Sequence, residues 1–419
     1  MKQILEDARV FGLKSRNIID KAPLQVYYSA LIFEPESSTV RRAFEKDMPS
    51  GISLVYQRQA NNNTSLTTVS PWGRFVAKTI EHKSMEIWDV VSAKRCRTLF
   101  SPLFHQPKKY LFSPHGNFIA GIFESECRET TIRISEMATG NICGSPFIPN
   151  KNVVDCLFSP DESLIAIVQS TGTIYVSDVK SDISRKKISS SPGPIYMIIF
   201  APNSQLLASI AMDGTMKVWN VIENKKIFLQ EAYPGKKIIA TFSPRSSLIA
   251  VFSDIAMIHI WEISTGQCIK ILKCGPSEVK AIALTMNNHQ IALLTRQSAE
   301  TLTLRLWDLD TEELFSSINI GSDPVWSLSF SEDSGNLHTN RGVVSYPSDG
   351  RVVFSSPDSD LFHISYCNKC ILYKKEPILW TPISVSIVAF SGYTLCLLDD
   401  EENISFLTVN PEDLAPHLY

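Results

Sequence analysis

Apolar and polar positions alternate along most of this chain in short, regular runs. Segments of four to seven residues rich in Ile, Val and Leu, such as "SLIAIV", "QLLASIA" and "SLIAVF", stand between clusters of Ser, Pro, Asn and Gly. Such runs, bounded by turn residues, predict an all-β chain of short strands. The stretch "MDGTMKVWN", residues 212–220, shows the unit in miniature. Its Asp-Gly pair suits the positive φ of a tight hairpin turn, and the strand that follows closes on Trp219-Asn220.

That closing pair recurs. "MEIWD" ends at Trp88-Asp89, "HIWE" at Trp261-Glu262 and "RLWD" at Trp307-Asp308, while "IRISE" and "IYVSD" carry Ser135 and Ser177 in place of the Trp. The spacings from Trp88 to Trp307 are 47, 42, 42, 42 and 46 residues. A second ladder runs out of phase through "VSPWGRFVA", "FSPHGNFIA", "FSPDESLIA", "FAPNSQLLA", "FSPRSSLIA", "LTMNNHQIA" and "FSEDSGNLH". Its third positions, Pro71, Pro114, Pro160, Pro202, Pro244, Met286 and Glu332, are 43, 46, 42, 42, 42 and 46 apart. Two ladders with one period predict a repeated four-stranded unit of about 40 to 45 residues, the size of a propeller blade.

On these motifs the chain resembles a WD-repeat β-propeller across roughly residues 52 to 409. The resemblance implies that each Trp closes the third strand of a blade, packs beneath it, and gives its N–H to a network of Ser or Thr, His and a turn Asp. Trp219, Ser209 and Asp213 occupy such positions; the family's Gly-His pair is absent. Trp88, Asp89, Ser209, Asp213, Trp219, Trp261, Trp307 and Asp308 are therefore read as structural signature residues without chemistry of their own.

Beyond Asp308, "VWSLSFSEDSGNLHTNRGVVSYP" and residues 385–409 give two degenerate units, for eight blades in all, with seven as the alternative. The last unit lacks a fourth strand and "ISLVYQRQ" at 52–59 lacks a blade, so the N-terminal strand is expected to complete it and remove two open edges. Residues 1–22 read as helical, with Ile4, Ala8, Phe11, Ile18 and Ile19 as apolar-face candidates and Pro23 as the breaker. The expected division is an N-terminal helix and linker over 1–51, the propeller over 52–410 and a tail over 411–419. "PLQVYYSALIFEPESSTVRRAF", "LHTNRGVV" at 337–344 and "ILWTP" at 378–382 are similar to phrases around the C-terminal propeller of fungal NACHT-type NTPases of the vegetative-incompatibility class. No G-x-x-x-x-G-K-[ST] loop occurs, so the chain resembles the sensor half of such a protein, standing alone or truncated.

Charge narrows the function further. Lys plus Arg number 40 and Asp plus Glu 43, a net charge of −3, which weighs against a nucleic-acid binder dominated by phosphate contacts. The charged N-terminus, the absence of a long apolar span and nine scattered cysteines suit a soluble, cytoplasmic protein with no membrane association. Cys367-x-x-Cys370 has no second ligand pair, so no metal is assigned, and its Asn368-Lys369 reads as a hairpin tip. No catalytic residue, cofactor or small-molecule substrate is expected. "SRKKISSSPGP", residues 184–194, reads as a basic connector, with a phosphorylation or docking loop as the alternative.

The informative positions lie six residues before each Ser-Pro marker: Lys108, Val154, Tyr196, Ile238, Lys280 and Trp326. In propellers this register lies near the narrow rim, and Lys108, Tyr196, Lys280 and Trp326 are the candidate partner-binding residues. The leading expectation is a non-enzymatic scaffold or sensor that binds protein partners, with an RNA-associated or translation-linked propeller second and a propeller enzyme third.

Overall fold

Both ladders turn out to be turn devices. In the computed structural model the hydroxyls of Ser70, Ser113 and Ser159 accept hydrogen bonds from the backbone N–H five residues on, each at 2.9 Å, and Ser243 and Thr285 do the same at 3.0 Å. Two residues past each proline position the backbone enters the left-handed region: Gly73 (φ 69°), Gly116 (76°), Glu162 (61°), Ser204 (59°), Ser246 (59°) and Asn288 (63°). The hydroxyl holds the hairpin shut while that residue reverses the chain.

The polar residue after the Trp caps the next turn. Asp89 Oδ1 accepts from the Ser92 N–H (3.0 Å), Asn220 Oδ1 from Ile222 and Glu223 (3.0 Å each), and Asp308 Oδ1 from Asp310 and Thr311 (2.8 and 2.9 Å). Asp and Asn suit this because a short side-chain oxygen reaches the N–H groups two and three residues ahead. Opposite each Trp the outer strand carries a β-bulge: Cys96, Ile227, Ile269 and Phe315 are skipped in the pairing across from Trp88, Trp219, Trp261 and Trp307. Cys143 is skipped in the same way across from Ser135, whereas across from Ser177 the pairing runs without a skip, Val176 with Lys186 and Ser177 with Arg185.

The structure describes residues 2–21, 29–34, 38–47, 52–57, 67–70, 73–80, 84–100, 105–125, 129–144, 152–180, 185–190, 193–230, 238–253, 257–275, 278–298, 301–321, 328–330, 336–339, 342–345, 353–355, 362–365, 370–373, 376–380, 385–391, 394–399 and 404–410. They fall into two units: one of residues 1–126, 137–140 and 360–419, the other of 127–136 and 141–359. The second unit holds five four-stranded antiparallel sheets of the propeller-blade kind, spanning 153–190, 195–230, 238–273, 278–321 and 328–355. Their first strands adjoin one another in chain order, and their fourth strands are edges. The boundary between units falls inside the 105–144 repeat, whose first two strands pair in one unit and whose last two pair in the other.

The first unit holds the four-stranded sheet of 67–100 and a sheet made from both ends of the chain. In the latter, strand Ile52–Gln57 pairs antiparallel with Ile404–Val409, from Ile52 opposite Val409 to Gln57 opposite Ser405. The expected completion of the last blade by the N-terminal strand is thus present. The eight-unit count omitted a further three-stranded sheet, Phe362–Ser365, Cys370–Tyr373 and Glu376–Trp380. It carries neither ladder.

Helix α1 (Lys2–Lys14) and helix α2 (Arg16–Lys21) meet at buried Ser15, so the helical segment is broken before Pro23 is reached. Of the apolar-face candidates, Ile18 is buried, whereas Ile19 and Ala8 are exposed. Ala30, Leu31 and Ile32, in the segment expected to be a linker, are also buried. Ile32 joins the core of Ile52, Leu395, Leu397, Leu407 and Val409, together with Ile371 and Leu379 of the three-stranded sheet. Arg41, on helix α3 (Thr39–Ala43), fixes this segment by donating to the carbonyls of Ile32 and Glu34.

Each Trp packs against the preceding repeat. Trp261 stacks on Phe228 (centroids 5.9 Å, planes 17° apart), Trp219 joins Val176 and Ile188, and Trp307 joins Ile258 and Leu272. Trp88 meets Phe406, at 5.8 Å, so for the first repeat the preceding neighbour is the sheet built from both chain ends. The expected hydrogen-bond network is not formed. The indole N–H groups of Trp219, Trp261 and Trp307 are buried without a hydrogen-bond partner. Asp213 instead accepts from the Thr215 N–H in its own turn (2.9 Å). Where Ser209 stands across from Lys217, the next two sheets place Val251 and Leu293 at the same register, which carry no acceptor.

Candidate functional site

The first strands of the repeats share a second irregularity. Pairing skips Lys108 between Pro107 and Lys109, Val154 between Val153 and Asp155, Tyr196 between Ile195 and Met197, and Lys280 between Val279 and Ala281. These are the positions six residues before the Ser-Pro marker. A bulge leaves the extra residue unpaired and re-aims its side chain. Ile238 departs from the pattern: its strand has no bulge, it pairs regularly with Ser253, and it is buried in the core at 4% exposure. It is not a rim residue. Trp326 lies outside the described residues, as do Cys367 and the Asn368-Lys369 tip.

In the second unit the bulges bring apolar side chains into the open. Tyr196 is 43% exposed and Val154 53%, on first strands that adjoin one another. Beside Tyr196, the Met212 N–H donates to the Pro194 carbonyl at 2.9 Å, and the Met212 side chain is 67% exposed. Met212 was not singled out from the sequence; its signal was an apolar residue directly before an Asp-Gly turn. The neighbouring Asp213 carboxyl is held below its usual range, first by the hydrogen bond from the Thr215 N–H.

The two lysines behave differently. Lys108 Nζ lies 2.7 Å from Glu124 and Lys280 Nζ 2.8 Å from Glu278, so each carries its own counter-charge. Lys280 shares the second unit with Tyr196, whereas Lys108 belongs to the first. The geometry therefore brings together Val154, Tyr196 and Met212, with Lys280 two first strands further along.

Among the described residues, no group of three or more His, Cys, Asp or Glu side chains is placed to hold a metal ion, and no helix is long and apolar enough to cross a membrane. The Cys396 thiol is pushed up to about 12 by burial, which removes it as a nucleophile.

Known proteins match in the same terms. The WD40 family (WD domain, G-beta repeat) matches residues 184–220, the repeat that ends at Trp219-Asn220. Vegetative incompatibility protein HET-E-1 of Podospora anserina is 36% identical over 101 residues, which are 21% of this chain and 7% of that protein. The chain thus spans a small fraction of that relative's length. A chain in the crystal structure of the mitotic checkpoint complex aligns over 73% of this chain and 95% of its own, at 15% identity and a TM-score of 0.47. Residues 184–220 match a WD repeat, the described strands form four-stranded sheets of the propeller-blade kind, and the chain is similar over 101 residues to a fungal incompatibility protein.

Proposed function

We propose that this chain is a non-enzymatic recognition module that holds a protein partner at the bulged rim around Tyr196, in signalling of the vegetative-incompatibility kind. The observation that carries this is the exposure of Tyr196 and Val154, on adjoining first strands whose other residues are paired, and of Met212 in the turn beside Tyr196. Apolar and aromatic side chains held open on a rigid sheet are the usual anchors of protein interfaces. The likeness to HET-E-1 supports the signalling context. Trp326 shares this register in the sequence and belongs to the proposed rim.

The test is affinity capture from extract of the source cell with the unaltered chain and with Tyr196→Ala, Trp326→Ala. Loss of one reproducible partner, with the melting temperature unchanged, is the expected result. A double variant destabilised by more than about 3 kcal/mol, the range of core aromatic truncations, would make these core residues and end the rim reading.

A further inference from the structure

The outer strands of three consecutive sheets are basic. Arg185–Ser190 reads RKKISS, Lys225–Gln230 reads KKIFLQ and Gln267–Lys273 reads QCIKILK, without one Asp or Glu. Among the described residues, no ion pair engages Lys187, Lys225, Lys226, Lys270 or Lys273, in contrast to the paired Lys108 and Lys280. The carboxylates beside these strands, Glu223 two residues before Lys225 and Glu262 opposite Gln267, form no ion pair with these lysines, and Glu262 accepts from the Thr265 hydroxyl at 2.8 Å. In a chain of net charge −3, this is a local concentration of uncompensated positive charge.

The same edge is apolar. Ile269 and Ile271 are 48% and 51% exposed on either side of Lys270. Among the described residues Gln267–Lys273 pairs with Met257–Glu262 alone, so its other side presents open backbone N–H and C=O groups. The turn that enters this strand adjoins the neighbouring outer strand: a Cβ on Gly266 would come within 2.9 Å of the Cβ of Phe228 in Lys225–Gln230. The two outer strands therefore offer four unpaired lysines and two exposed isoleucines on one stretch of perimeter.

We infer that this edge docks an extended, acidic polypeptide segment in which Asp or Glu alternates with aliphatic residues. Its backbone pairs with the open side of Lys270–Lys273, beyond the bulge at Ile269; its aliphatic side chains lie on the face of Ile271 and its carboxylates on the face of Lys270, with Lys225, Lys226 and, at the strand's end, Lys273 adding positive charge around it. A single-stranded nucleic acid fits less well, because these three strands hold one aromatic, Phe228, and it is buried. This inference rests on the reading of the chain as a protein-binding module and adds a second face, whose strand Lys225–Gln230 is the opposite edge of the sheet that begins with the strand of Tyr196.

The test titrates a labelled nonapeptide of alternating Glu and Val or Leu onto the full chain, beside three probes. These are the same peptide with a central Pro, a single-stranded oligonucleotide, and vesicles of phosphatidylcholine with phosphatidylserine. Saturable binding is expected, weakened at least tenfold by Lys225→Glu, Lys226→Glu, Lys270→Glu, Lys273→Glu, and weakened by Ile269→Ser, Ile271→Ser and by the central Pro. Lysine-to-Gln versions serve if the charge reversals fail to fold. No peptide binding, equal binding of the Pro peptide, or tighter binding of oligonucleotide or vesicles would each overturn the inference. Tyr196→Ala should leave peptide binding unchanged, so this test and the rim test fail independently.

Discussion

The Ser204 hydroxyl accepts a hydrogen bond from the Asp161 backbone N–H at 3.0 Å, although the two residues are 43 positions apart. Ser246 does the same for the Asn203 N–H at 3.1 Å, again 43 positions away. In both cases a residue forced into the left-handed region at one hairpin ties down the corresponding hairpin of the repeat before it. Glycine would relieve the backbone but leave the neighbour's N–H without this acceptor. Ser204→Gly should therefore be close to neutral, because the relieved φ offsets a lost hydrogen bond of about 1 kcal/mol. Ser204→Ala keeps the strain and loses the acceptor, and should be less stable than the Gly variant by roughly 1 kcal/mol. Urea unfolding of the three proteins checks the order; an Ala variant as stable as wild type would show that the staple contributes nothing.

The unpartnered indole of Trp261 makes a second prediction. Its ring stacks on Phe228 while its N–H finds no acceptor. Trp261→Phe removes a buried donor that has no partner and keeps much of the stacking, so it should cost only about 1 kcal/mol. Trp261→Ala should cost about 3–5 kcal/mol through the cavity left between repeats. If the Phe variant proves as damaging as the Ala variant, the N–H has a partner in solution, most simply a buried water.

Acid should loosen the turns capped by Asp213 and Asp308. The Asp308 carboxyl is lowered from 3.8, first by the Thr311 N–H, and Asp213 is lowered by the Thr215 N–H. A carboxyl with a depressed pKa in the folded state contributes stability above its unfolded pKa and loses it as the pH falls through the folded value. The loss therefore lies below about pH 4. Asn220 makes the same two bonds as Asp308 with no charge to titrate. Asp308→Asn should keep the turn and flatten part of the acid limb of a stability-versus-pH curve; an unchanged limb would mean that Asp308 does not contribute to it.

Truncation separates the two N-terminal segments. Removing residues 1–60 takes away the strand paired with Ile404–Val409 and the buried Ala30, Leu31 and Ile32, leaving an apolar open edge. Aggregation or a loss of several kcal/mol is expected, roughly the value of a strand and its packing together. Removing residues 1–22 takes only Ser15 and Ile18 from buried positions among those described, and should be milder. Light scattering and thermal melts on both proteins decide it, and a soluble, equally stable chain lacking 1–60 would mean that the pairing is dispensable.

The features legible in the sequence were those set by local chemistry. A hydroxyl that must reach an N–H five residues on, and a carboxylate or amide that must reach one two or three residues on, demand particular residues at fixed spacing; Ser113 and Asp308 therefore repeat visibly. What escaped depends on neighbours in space. The burial of Ile32 is decided by Leu395 and Leu407, more than 360 positions away. Ile238 and Tyr196 share a register, yet only Tyr196 sits on a bulged strand, and nothing in "KKIIATF" against "PIYMIIF" marks the difference. The three-stranded sheet at 362–380 escaped because neither ladder of turn residues runs through it.

The pairing of Ile52 with Val409 also sets a timetable. A ribosome adding roughly 5–20 residues per second makes the first of these strands about 20–70 seconds before the second. Throughout that interval the earliest strand is an edge with no mate, while each repeat in 67–321 can fold against the one made just before it. Newly made chains of this protein should thus need shelter for one short segment until Ile404–Val409 emerges and the sheet closes.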